Sequence, residues 1–202
     1  MSYANLAIAL TGIVSALAQE GFHAVHAEQG VTVYRRESSS AIELGAEGAI
    51  DAPPEVVRAV LLDYANHPRW LKGLAESRVL YRGPATLDVY QRLVLPLIDD
   101  RDYTLRVTWG ADGELQWLRF AAARDQGPPP VEGVVRVTLN EGGWKLYATG
   151  GGKATYAVYR FRLDLAGSVP RWMGKGRAGK EVAHLFESIR DQTQYYRWAA
   201  TH

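Results

Sequence analysis

The sequence predicts an α+β domain in which a curved antiparallel sheet lies around a long C-terminal helix. Two observations carry that expectation. From Glu76 to Leu163 the chain alternates apolar and polar residues with a period of two, broken at turn signals. Beyond it, Val182, Leu185, Phe186, Ile189, Thr193 and Tyr196 recur at spacings of three and four and share one face of a helix. A Gly-containing turn after Leu163 and the fixed φ of Pro170 set the start of that helix. Its apolar face needs something concave to lie on, and a coiled sheet supplies it.

Composition bounds the rest. The 202 residues are 47% hydrophobic and 22% charged, as in ordinary globular proteins, and one domain accommodates them. The 23 basic and 22 acidic residues leave a formal charge of +1, which excludes a bulk electrostatic footprint for nucleic acid. With no cysteine there is no disulfide framework, thiolate metal site or thiol nucleophile. Six Trp and eleven Tyr fit a well-filled core or a large apolar pocket with amphipathic rims.

In the N-terminal part, 1–21, Leu6, Leu10, Ile13, Val14 and Leu17 lie on one helical face and predict an amphipathic first helix ahead of a domain spanning 22–202. The run 6–18 also resembles a signal-peptide core with an Ala16-Leu17-Ala18 cleavage site, although a positive n-region is missing. The first reading places the protein in the cytoplasm, the second in the periplasm or outside. The run is too short to span a bilayer.

Next come a strand at 31–36 and a cleanly alternating one at 42–50, forming a hairpin. Asp51 is expected to cap a helix through Val56, Val57, Val60 and Leu61 to about Tyr64, and a second short helical piece follows over 69–74. Turn residues at 83–84, 95–96, 110–113, 127–130, 140–143 and 150–152 divide the remainder into seven strands, at 76–82, 86–94, 100–109, 114–123, 132–139, 143–149 and 153–163. The total is about nine strands, with two short helices after the second.

Alternation assigns the faces. Leu87, Val89, Gln91 and Leu93 share one side; so do Arg101, Tyr103, Leu105, Val107 and Trp109; and so do Ala157, Tyr159 and Phe161. These line the concavity, and a cation and an amide placed there need partners, because bare burial of either costs several kcal/mol.

The order and spacing of these segments resemble the START (StAR-related lipid transfer) domain in its compact bacterial form, within the helix-grip superfamily. GVTVYRR (30–36) is similar to the opening strand, and VVRAVLLDYANHPRWLKGLAESRVL (56–80) to the helix, Trp-bearing turn and next strand. DDRDYTLRVTW (99–109) and PPPVEGVVRVTL (128–139) resemble the Arg-Asp strand and the Pro-rich loop leading into a strand with an arginine, here Arg136. ATYAVYRFRLDLAGSVPRWM (154–173) resembles the last strand and its turn, carried by Asp164, Gly167, Val169, Pro170 and Trp172. The resemblance implies a helix-grip fold with a hydrophobic tunnel between sheet and C-terminal helix, holding one lipid or sterol-like molecule. Gly174, Gly176 and Gly179 depart from the family's habit.

GKGRAG (174–179) also matches the dinucleotide pattern G-x-G-x-x-G, but it opens no helix of a βαβ unit and is rejected as such. Close packing and a soft helix start remain as readings, since each glycine costs about 1 kcal/mol relative to alanine. Arg171, Lys175, Arg177 and Lys180 around Trp172 and Met173 fit either a solvated face or contact with an anionic membrane surface. Asp99, Asp100 and Asp102 are expected in surface or capping roles. Arg101 is expected either to bind a ligand headgroup bidentately or to form a structural ion pair.

His23, His26, His67 and His184 are expected to be structural or exposed, and no hydrolase, zincin or P-loop motif occurs. No catalytic constellation, cofactor or metal is called for, and no nucleic-acid partner. The expected function is to bind, and move between membranes, one hydrophobic ligand. The expected cavity residues are Trp70, Val89, Gln91, Arg101, Tyr103, Leu105, Val107, Tyr159, Phe161, Trp172 and Met173, with Gln91 and Arg101 recognising the polar end. The alternative is a polyketide cyclase/aromatase-like enzyme in which Arg101, Tyr103 or Tyr159 polarises a carbonyl or enolate.

Overall fold

A computed structural model describes residues 15–38, 41–166 and 177–199. Among the described residues four helical segments and ten strands follow one another: α1 (Ala16–Gln19), β1 (His23–Glu28), β2 (Val31–Arg36), β3 (Ile42–Ile50), α2 (Pro54–Leu62), a 3-10 helix (Tyr64–Arg69), β4 (Leu74–Arg82), β5 (Thr86–Leu93), β6 (Asp100–Asp112), β7 (Leu115–Ala122), β8 (Val134–Arg136), β9 (Leu139–Thr149), β10 (Ala154–Asp164) and α3 (Arg177–Ala199). The sheet runs β1-β2-β3-β10-β9-β7-β6-β5-β4 and is open, with β1 and β4 at its edges. Every pairing is antiparallel except that of β8, which runs parallel to the first residues of β6. This is the expected α+β, helix-grip architecture.

Several boundaries differ from expectation, for identifiable reasons. The edge strand β1 is absent from the sequence reading because its side chains are nearly all exposed, so it carries little burial-driven alternation. It joins β2 through Gln29 and Gly30, both at positive φ, in the two-residue turn that strand twist favours. Gly110, Gly142 and Gly143 are not turn residues. β6 continues through Gly110 to Asp112, and β9 runs unbroken from Leu139. A Cβ on Gly142 would stand 2.2 Å from the Arg160 carbonyl oxygen, and one on Gly143 2.3 Å from that of Leu118. These glycines let three strands coil closely past one another where the sheet bends. The predicted strand 132–139 shrinks to β8. The cap of α2 is Pro53, without a side-chain bond, and not Asp51.

The predicted face of α3 is buried as expected: Val182, Phe186, Ile189 and Thr193 are closed off from solvent, and Leu185 and Tyr196 are half-buried. It packs on Val57, Val60 and Leu61 of α2 and on Leu44, Ala46 and Ile50 of β3. Gly179 is buried, and a Cβ there would meet the His26 side chain at 3.3 Å, so this glycine serves close approach of α3 to β1. Polar anchors fix the far end of the helix. Arg190 donates to the carbonyls of Ala49 and Gln29, Tyr196 to the carboxylate of Asp63, and Arg197 to the Asp51 carbonyl.

On the convex side, Leu17 of α1 packs with Phe22 and Tyr34 over Gly45, where a Cβ would collide with the leucine. Asp102 lies on that side as alternation requires, but it is no surface residue. Only 1% of its area is exposed, and Arg136 grips it with two bonds of 2.6 and 2.8 Å while the Tyr90 hydroxyl donates at 3.1 Å. Asp88 and Arg106 form a second bidentate pair, at 2.8 Å for both bonds.

Candidate functional site

Apart from the small convex-side group of Leu17, Phe22 and Tyr34, the buried apolar side chains fall into two clusters. The first joins α2, α3, β2, β3, β9 and β10 around Phe186, Ile189 and Trp144; the second joins β5 and β6 around Val89, Leu105 and Val107. Between them lies a cavity of about 600 Å³ whose wall takes residues from both clusters. Leu61, Leu118, Trp144 and Leu185 belong to or pack against the first cluster, and Leu93, Leu105, Val107 and Phe120 to or against the second. Trp144 stacks on Tyr159 with ring centres 4.2 Å apart, and Phe120 tilts toward the same ring at 6.4 Å. The mouth opens between the turn Leu71–Lys72 and the outer side of α3, where Glu181, His184 and Asp191 are exposed.

Polar groups inside the cavity are uncharged. Tyr64, Tyr103 and Tyr159 are pushed well above the ordinary phenol range, by burial first and for Tyr64 and Tyr159 also by neighbouring phenols, so all three stay protonated. Tyr103 is hydrogen-bonded to the Asn140 side chain. The Gln91 amide NH₂ donates to Ser77 at 3.1 Å, which leaves its carbonyl oxygen without a partner among the described residues. His67 lies between Tyr64 and Trp70, at 4.6 and 4.9 Å between ring centres, and its Nε2 is 3.3 Å from the Val60 carbonyl. A carbonyl can only accept, so Nε2 carries the proton. Burial lowers the His67 pKa to about 4, against smaller opposing contributions from the Val60 bond and Asp63, so the ring is neutral and Nδ1 is a bare acceptor.

Of the sequence-predicted cavity residues, Trp70, Gln91, Tyr103, Leu105, Val107 and Tyr159 line this wall. Val89 does not: it is fully buried within the second cluster. Phe161 stacks behind Tyr159, ring centres 5.4 Å apart. Arg101 also lies outside the wall formed by the described residues. Its guanidinium, with only 2% of the residue exposed, donates to the carbonyls of Asp99, Leu165 and Ala166 and so holds the turn that leaves β10. It forms no ion pair with the described residues, where one of the two expectations placed it, because three backbone oxygens satisfy it. Arg171, Trp172, Met173 and Lys175 lie outside the described residues, as does the side chain of Arg177; Lys180 is exposed.

Sequence reasoning missed Tyr64, His67, Phe120, Asn140 and Trp144. Tyr64 and His67 sit in a 3-10 segment with no simple period, and Asn140 was hidden in an apparent turn. Among the described residues no His, Asp and Glu cluster is arranged to hold a metal, and no helix is long and apolar enough to cross a membrane.

The sheet, α3 and the space between them define an α+β domain with an internal cavity. The chain belongs to the family described as polyketide cyclase/dehydrase and lipid transport, whose profile it matches over residues 50–190. Its fold is that of START domains. A STAR-related lipid transfer protein from Xanthomonas axonopodis is similar at 21% identity and a TM-score of 0.78, over 86% of this chain and 99% of that one. Human STARD10 is similar at 17% identity and 0.80, over 97% and 81%. A Streptomyces aromatase/cyclase is similar at 12% identity and 0.55, over 75% and 93%. Comparison with curated proteins returned no match.

Proposed function

We propose that this protein binds a single hydrophobic small molecule in the cavity beneath α3 and carries it between membranes. One observation supports this reading above others: the cavity divides the core. It leaves about 600 Å³ between two apolar clusters, the size of a small-molecule site. Walls of Leu, Val, Phe and Trp hold water poorly, so an apolar occupant is the stabilising one. Each methylene transferred from water into such a space gains about 0.8 kcal/mol.

Native mass spectrometry of the freshly purified protein, followed by organic extraction, tests this. The expected result is one apolar molecule per chain. A protein that carries nothing, and takes up no apolar fluorophore when delipidated, overturns it. For the membrane step, the cations Arg171, Lys175, Arg177 and Lys180 would meet anionic headgroups. Their replacement by glutamine is expected to weaken salt-sensitive binding to anionic vesicles, and equal binding by the variant removes the membrane role.

An enzyme of the aromatase/cyclase kind is the second reading, favoured by the neutral His67 beside protonated phenols. A bare imidazole nitrogen takes a proton and a phenol stabilises an enolate oxygen. Turnover of a polyketide-like substrate, in place of recovery of an intact ligand, would select it.

A further inference from the structure

Resting on the binding reading above, we infer that the ligand is neutral and carries hydroxyl or carbonyl oxygens on a rigid ring framework, its oxygenated part buried against Tyr64, His67, Gln91, Tyr103, Asn140 and Tyr159. Three observations carry this. The first is unused hydrogen-bonding capacity. Among the described residues the hydroxyls of Tyr64 and Tyr159 have no hydrogen-bond partner, although both rings line the cavity. The Gln91 carbonyl oxygen and the His67 Nδ1 add two acceptors. A plain hydrocarbon occupant would strand all four groups in a dry space, whereas hydroxyl and carbonyl oxygens satisfy donors and acceptors alike.

The second is the placement of charge. The charged side chains in the described wall, Lys72, Glu181, Glu187 and Asp191, lie at the mouth, exposed or half-exposed. The nearby buried cation, Arg101, is engaged with three backbone carbonyls. A phosphate or carboxylate brought inside would lose its hydration with no cation among the described residues of the inner wall to meet it. The three carboxylates at the mouth would oppose its entry further.

The third is the shape of the wall. Trp144 and Tyr159 are stacked, with Phe120 beside them and the His67–Trp70 pair on the 3-10 helix. Flat aromatic faces of this kind suit fused rings better than two flexible acyl chains.

The test uses full-length delipidated protein and three probes: 1,8-dihydroxyanthraquinone, anthracene as the same ring skeleton without oxygen, and a short-chain phosphatidylglycerol. Tryptophan fluorescence reports affinity. The quinone is expected to bind at least about tenfold tighter than anthracene, and phosphatidylglycerol is expected not to displace it. Tyr64→Phe and Tyr159→Phe keep the rings and remove only hydroxyls. Each should weaken the quinone by roughly threefold to tenfold and leave anthracene unchanged. Equal affinities for quinone and anthracene, or variants without effect on the quinone, overturn the inference. Displacement by phosphatidylglycerol overturns it while leaving the binding reading intact. If none of the three binds, the binding reading fails and the inference fails with it.

Discussion

Acid should weaken this fold through His67, and the size of the effect follows from its surroundings. The imidazole is packed between Tyr64 and Trp70, donates to the Val60 carbonyl and titrates near 4 instead of 6.5, because burial penalises the charged form. As pH falls below about 6.5 the unfolded chain takes up this proton first. The stabilisation is therefore complete above that pH and is lost progressively down to about 4. The full difference amounts to about 3 kcal/mol, of which roughly 1.4 is gone at pH 5.5 and roughly 2.5 at pH 4.5. Urea denaturation of delipidated protein at these pH values and at neutrality measures it. His67→Gln retains an amide donor for Val60 and does not titrate, so its stability should fall by that much less on acidification. Parallel losses in the two proteins would refute the reasoning, as would an imidazole titrating near 6.5 by NMR.

Two further outcomes follow from packing. Gly142→Ala and Gly143→Ala each drive a methyl into a neighbouring strand's carbonyl, and each is expected to lower stability by about 1–3 kcal/mol in thermal unfolding; variants as stable as the parent would show that the strands can part at no cost. Asp102→Ala strands Arg136 and should cost about 3 kcal/mol. Combining it with Arg136→Met should cost clearly less than the sum of the single changes, and strict additivity would show that the pair is not coupled.

Elements whose residues meet a single environment were legible in the sequence. The α3 face and the inward sides of β5, β6 and β10 follow from period alone, since each side chain there sees either core or convex face. Glycine misled, because the same residue that permits a turn also permits two strands to touch. Gly110, Gly142 and Gly143 are of the second kind, which only the neighbouring strand reveals. Parity placed Arg101 inside but could not supply its partners, because Leu165 and Ala166 lie more than sixty positions away in sequence. The polar lining of the cavity was the least legible part. Tyr64, His67 and Asn140 carry no periodic signal, and their role comes from where the 3-10 helix and β9 converge.

The anchors on the second half of α3 make its first half an arm. Arg190, Tyr196 and Arg197 fasten the helix to the loops around Gln29, Asp51 and Asp63. At ~1.5 Å per residue, Arg177 stands about 20 Å from Arg190, so a tilt of about 10° carries the helix start through roughly 3 Å. Glu181, His184 and Leu185 lie along that arm, so the part of the cavity wall they supply is set by the angle of the helix more than by any bond within it.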